Sequence, residues 1–156
     1  GSTYMRLHRK PVPVLYDEKE SFTLGKGKVL KDGTDITLIA CGAIMVNEAL
    51  KACLQLKEEK IQAAVIDMHT IKPIDVPLIL EYAQKTRAMI TCENHQVING
   101  LGSAVAEVLS EHCPTLLKRI GVEDEFGEVG TQEYLQQRFK LTAEHIIAET
   151  KKLLKQ

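Results

Sequence analysis

The sequence predicts an α/β fold, a three-layer α/β/α sandwich around a mostly parallel, mixed sheet of about five strands. Two observations carry that expectation. Short apolar runs rich in β-branched residues alternate with longer amphipathic stretches, at the pitch of strand–helix–strand crossovers. Capping and turn residues mark the change from one to the other. Right-handed crossovers then place helices on both faces of the sheet.

The elements follow in order. Residues 1–25 mix basic residues with Pro11 and Pro13, and read as an extended tail or linker, because proline fixes φ and lacks an N–H. Residues 26–156 are expected to form the domain. Residues 22–30 read as a short strand pair broken by Gly25 and Gly27, and residues 31–33 as a turn. Residues 35–41 are a buried strand. Residues 43–59 are a helix, with Val46, Ala49, Leu50, Cys53 and Leu54 on one face and Asn47, Glu48, Lys51 and Glu58 elsewhere. Residues 62–68 form the next strand. Asp75 caps the helix after it, with Ile74 and Ile79 at the spacing of a hydrophobic staple. Residues 88–92 are a third core strand, and Ser103 is the expected N-cap of a helix running to His112. A strand within 115–122, a short helix over 131–138 and a terminal helix capped by Thr142 complete the domain.

Bulk composition excludes several classes. The 156 residues suit one domain, and a chain of this size buries roughly 70% of its unfolded surface. A net charge of -1 and 4% aromatics argue against a nucleic-acid partner or an acidic membrane surface. No apolar run approaches the span of about 20 residues that a membrane helix needs. The four cysteines include no C-x-x-C pair, so the usual zinc and redox spacings are missing. Reduced thiols in a cytoplasmic setting are expected.

Motif tests narrow the chemistry. The segment after the first core strand, Gly42 to Asn47, holds one glycine of the dinucleotide fingerprint. Gly100-Leu101-Gly102-Ser103 opens a later helix, whose free N–H groups could receive an anion. The commoner use of such glycines is a tight turn that lets a helix lie close on the sheet. No P-loop and no G-x-S-x-G elbow is present. Glu93-Asn94-His95 ends a strand, where ligands of open α/β sheets gather, but a polar loop or a subunit contact is the plainer reading. Asp67 ends another strand, beside a turn that Pro73 and Asp75 explain structurally. Arg6, His8, Arg9 and Lys10 form a basic cluster, in which an arginine fork suits phosphate or carboxylate.

Three segments together resemble the C-terminal part of the transketolase family. Residues 67–75 are similar to its D-x-x-T-I-K-P-[LI]-D stretch. Glu93-Asn94-His95 with Gly100-Leu101-Gly102-Ser103-Ala104-Val105-Ala106-Glu107 is similar to its E-[ND]-H…G-x-G-S-A-V-x-E segment. Phe126-Gly127-Glu128-Val129-Gly130 resembles its F-G-x-x-G loop. Residues 1–25 then resemble the end of the preceding pyrimidine-binding domain. Arg9 matches an arginine that binds substrate phosphate in that family, with His8 where the family has serine, and Arg6 matches a neighbouring arginine.

The resemblance implies a thiamine-diphosphate-dependent enzyme that moves a two-carbon ketol unit between sugar phosphates. Thiamine diphosphate and Mg2+ would bind on the preceding domains, and none is expected on this segment alone. The implied partners are the remainder of the chain or an N-terminal subunit, in a homodimer of the complete enzyme. This domain would support assembly without catalysing, Arg9 and Arg6 would contact phosphate, and Glu93, His95, Gly100 and Gly102 would serve in loop or interface contacts. The β subunit of a 2-oxoacid dehydrogenase, deoxyxylulose-phosphate synthase and a non-catalytic anion-binding module are the alternatives.

Overall fold

The computed structural model describes residues 1–155; Gln156, the last residue of the expected domain, lies outside them. Five strands form one sheet in the order β1-β3-β2-β4-β5. They are β1 Lys28–Lys31, β2 Ile36–Ala40, β3 Ala63–Asp67, β4 Ala88–Gln96 and β5 Leu116–Val122. β1 runs antiparallel to β3, and every other neighbouring pair is parallel. Five helices, α1 Ala43–Glu58, α2 Val76–Lys85, α3 Leu101–His112, α4 Gln132–Arg138 and α5 Ala143–Leu153, alternate with or follow the strands. The mixed three-layer sandwich is the architecture the residue pattern predicts.

β2 and β3 are buried at every position, as strands covered on both faces must be. Successive side chains of a strand point to opposite faces. Leu38 therefore enters one core with Val65 and Ile90, under α1 and α5. Ile39 enters the other with Ala64, Ile66 and Met89, under α2 and α3. Each fully buried Leu or Ile contributes about 1.5–3 kcal/mol relative to exposure.

Helix starts are held by side chains. Asp75 Oδ1 accepts from Leu78 N at 3.4 Å, and its Oδ2 accepts from Gly27 N at 3.1 Å, which ties the approach to β1 onto α2. Ile74 and the fully buried Ile79 both join the α2–α3 core, as the staple spacing predicts. Thr131 and Thr142 cap α4 and α5.

Three expectations are corrected. Residues 22–30 contain one strand rather than a pair, since only β1 finds a partner edge, on β3. The N-cap of α3 is Gly100, not Ser103. Ser103 lies inside the first turn, where its Oγ accepts from Asn99 N at 3.0 Å and donates to Val97 O at 3.2 Å. The buried face of α1 is also rotated. Leu54 is 60% exposed, whereas Glu48 is 7% exposed. The cause is α5. Its first N–H, at Ala143, donates to Glu48 Oε2 at 2.9 Å, while Lys51 holds Oε1 at 2.7 Å.

His145 on α5 is half-buried, and that burial pushes its pKa below the ordinary 6.5, against the opposing pull of Glu149. The unfolded chain thus takes up the proton more readily than the folded one. The stability tied to neutral His145 is complete above the unfolded value and is lost as pH falls through it. His145→Gln is expected to flatten the urea midpoint between about pH 7 and pH 5; an unchanged slope in that window would remove His145 as a contributor.

Candidate functional site

The strand order sets where a ligand crevice should lie. From β2 the chain crosses to β3 on one side, then returns to β4 on the other. The carboxyl ends of β2 and β4 therefore flank the topological switch point, the usual ligand position in open α/β sheets.

Here that position is crossed by the chain's own N-terminal tail. Arg6 Nη2 donates to Asn94 O, just past the buried part of β4, at 3.2 Å. His8 Nε2 stands 3.6 Å from where a Cβ on Gly42 would lie, and Asn94 Oδ1 stands 3.9 Å from it. Gly42 has φ 77°, so the turn from β2 into α1 takes a left-handed conformation that favours glycine. Further along, Val12 and Leu15 pack against the α1–α5 core. Tyr16 then donates its hydroxyl to Asp67 Oδ2 at 2.6 Å, at the carboxyl end of β3. Phe22 sets its ring edge against His69, centroids 5.0 Å apart.

The second feature is Glu93, 1% exposed. Its Oε2 accepts from Leu101 N and its Oε1 from Gly102 N, both at 2.8 Å. These are first-turn N–H groups of α3, which have no partner within the helix. A carboxylate at this end also opposes the helix dipole favourably. Burial raises the Glu93 pKa, while the two N–H bonds pull it back down. The glycines permit the approach. A side chain on Gly100 would overlap the Glu93 carboxylate, and a Cβ on Gly102 would lie 2.8 Å from both Thr91 Oγ1 and Arg119 Cδ. The pair thus acts as a close turn of helix onto sheet.

The other sequence candidates are spread along this edge. His95 is exposed, with Nδ1 2.9 Å from Gln96 O. Arg6 and Arg9 are exposed, and neither joins a salt bridge among the described residues. Cys41 lies between acids; burial, then Glu93 and Asp67, push its thiol up to about 12, which keeps it protonated and unreactive. Tyr16 was not singled out from the sequence, and nothing local could have done so: its partner is 51 residues away. The acidic loop after β5 is held by Arg138, which donates to Glu125 Oε2 at 2.8 Å and Glu128 Oε1 at 2.6 Å. It leaves Phe126 96% exposed and Val129 101% exposed.

This edge does not suit a diphosphate–metal group. The α3 N–H groups that would receive a phosphate already hold a carboxylate, which would repel it. Among the described residues no three His, Cys, Asp or Glu side chains converge so as to hold a metal ion. No helix among them is long and apolar enough to cross a membrane.

Together these features define an open α/β domain whose ligand edge is crossed by its own N-terminal tail and occupied by an internal carboxylate. The family model for the transketolase C-terminal domain matches residues 25–146, and the chain belongs to that family. It is 49% identical over 147 residues to a 6-deoxy-6-sulfo-D-fructose transketolase subunit of Clostridium sp. (strain MSTE9), covering 94% of this chain and 45% of that protein. It is 41% identical over 149 residues to a putative transketolase C-terminal section of Methanocaldococcus jannaschii, covering 94% and 46%. A solved split-gene transketolase, described as an inactive β4 tetramer, superposes with a TM-score of 0.90 at 45% identity, covering 94% of this chain and 48% of that one. The chain therefore spans about half the length of these relatives.

Proposed function

We propose that this chain is the C-terminal lobe of a split, thiamine-diphosphate-dependent transketolase. The complete enzyme transfers a two-carbon ketol unit between sugar phosphates in the cytoplasm, working as a dimer of paired subunits. The observation that carries the reading is the family match, joined to relatives of 41–49% identity that are themselves subunits or C-terminal sections of transketolases. The cofactor and Mg2+ sit on polypeptide outside this segment, where carbanion chemistry belongs to the cofactor and positioning to the protein. Glu93 supports that division, because the helix end best suited to an anion here already has one. The same observation argues against a free-standing anion-binding module.

Arg9 is the phosphate contact of the complete enzyme, with Arg6 beside it, and this lobe alone is inactive. Deoxyxylulose-phosphate synthases share the domain, at 35% identity over 142 residues for that of Heliobacterium modesticaldum, where this chain covers 22% of the protein. The higher identity and larger shared fraction of the transketolase subunits favour ketol transfer. In the complete enzyme, Arg9→Ala is expected to raise KM for phosphorylated sugars far more than for unphosphorylated analogues, by the equivalent of about 1.5–3 kcal/mol for a lost charge-assisted hydrogen bond. An equal change for both substrate types would take Arg9 out of the substrate site. Ketol transfer by this chain without its partner polypeptide would overturn the division of labour.

A further inference from the structure

We propose that Tyr16 and Asp67 form a latch that positions Arg9, so that phosphate recognition depends on a hydrogen bond made away from the phosphate. The inference rests on the transferase reading above.

The tail is held at separated points. Upstream of Arg9, Arg6 reaches the Asn94 carbonyl at 3.2 Å, an exposed bond. Downstream, Val12 and Leu15 lean on the core, and Tyr16 reaches Asp67 at 2.6 Å. Arg9 lies between these anchors, exposed and with no ion pair of its own among the described residues. Its place is therefore inherited from the contacts on either side.

The Tyr16 anchor is the stiffer of the two. A hydroxyl donating to a carboxylate at this length is a strong, charge-assisted bond. Asp67 is 6% exposed and its Oδ1 has no hydrogen-bond partner, so Tyr16 supplies the one donor that its carboxylate has among the described residues. Asp67 itself is fixed by the sheet, in register with Ala40 on one side and Lys28 on the other. The Tyr16 ring meets Phe22 edge-on at 4.9 Å, and Phe22 meets His69 in the same way. Removing only the hydroxyl would keep this packing and free the tail from Asp67 alone.

The test is a double-mutant cycle in the complete enzyme, with a phosphorylated aldose acceptor and its unphosphorylated analogue as probes. Tyr16→Phe is expected to raise KM for the phosphorylated acceptor about tenfold with kcat nearly constant, as happens when only about a tenth of the molecules keep a competent tail. It is expected to add little in an Arg9→Ala background, because both changes remove the same contact. A phosphate-selective loss in Arg9→Ala with none in Tyr16→Phe would overturn the latch and leave the transferase reading standing. So would a full, independent Tyr16→Phe effect in the Arg9→Ala background. No phosphate selectivity in Arg9→Ala would instead overturn the reading on which the latch depends.

Discussion

Glu93→Ala is expected to destabilise the protein by about 3 kcal/mol, since two buried helix N–H groups lose their acceptor at once and each orphaned donor costs about 1–3 kcal/mol. The geometry makes rescue difficult. Leu101 is fully buried and Gly102 is buried beside Thr91 and Arg119. The desolvation of the carboxylate is relieved when it is removed, which keeps the loss below the sum of the two donors. Glu93→Gln should cost less, because the amide oxygen still accepts one bond, while its NH2 group turns toward the second N–H. Urea denaturation of the three proteins checks the order wild type, Gln, Ala. A loss under about 1 kcal/mol for the Ala variant would mean that α3 is held by packing alone, with Glu93 incidental.

Gly33→Ala should be comparably severe, about 3 kcal/mol or more, at the upper end of overpacking costs. A Cβ there would overlap the Ala63 carbonyl carbon and lie 2.5 Å from both Ala64 N and Gln62 O. All three are backbone atoms at the start of β3, so no side chain can swing aside. The junction is also tied by Thr34 and Asp35 N–H groups to Gln62 O at 3.0 and 2.9 Å, and by Gln62 N to Asp35 Oδ2 at 2.6 Å. Moving β3 away to admit a methyl would lengthen these bonds and disturb the β2–β3 ladder. Thermal unfolding checks it: a Tm within a degree or two of the parent would show that the turn relaxes freely.

Much of the fold is legible in local pattern. The apolar runs of β2, β3 and β4 are continuous because helices cover both faces, so they stand out without knowledge of partners. Asp75, Thr131 and Thr142 are short polar residues just ahead of amphipathic stretches, and all three cap. Ser103 has the same appearance and does not cap its helix, because Glu93 reaches the first turn of α3 from the sheet and the helix begins earlier, at Gly100. The α1 face was misassigned for a related reason. Leu54 and Glu48 exchange their expected environments because α5 docks there and needs an acceptor for its leading N–H. The basic cluster around Arg9 could be read from residue types, but the path of its segment across the switch point could not.

The succession of strands and helices, the two-sided burial of the sheet and the family motifs are all local properties, because period-two and 3.6-residue patterns and turn chemistry act over a few residues. Which buried acids serve which helix ends, and that the N-terminal tail crosses the edge where a ligand would sit, emerge only from the packed fold. Those pairings join residues as far apart as Glu48 and Ala143, or Tyr16 and Asp67. A carboxylate leaving water takes whatever donors the packed elements bring within reach, and no local spacing encodes which those are.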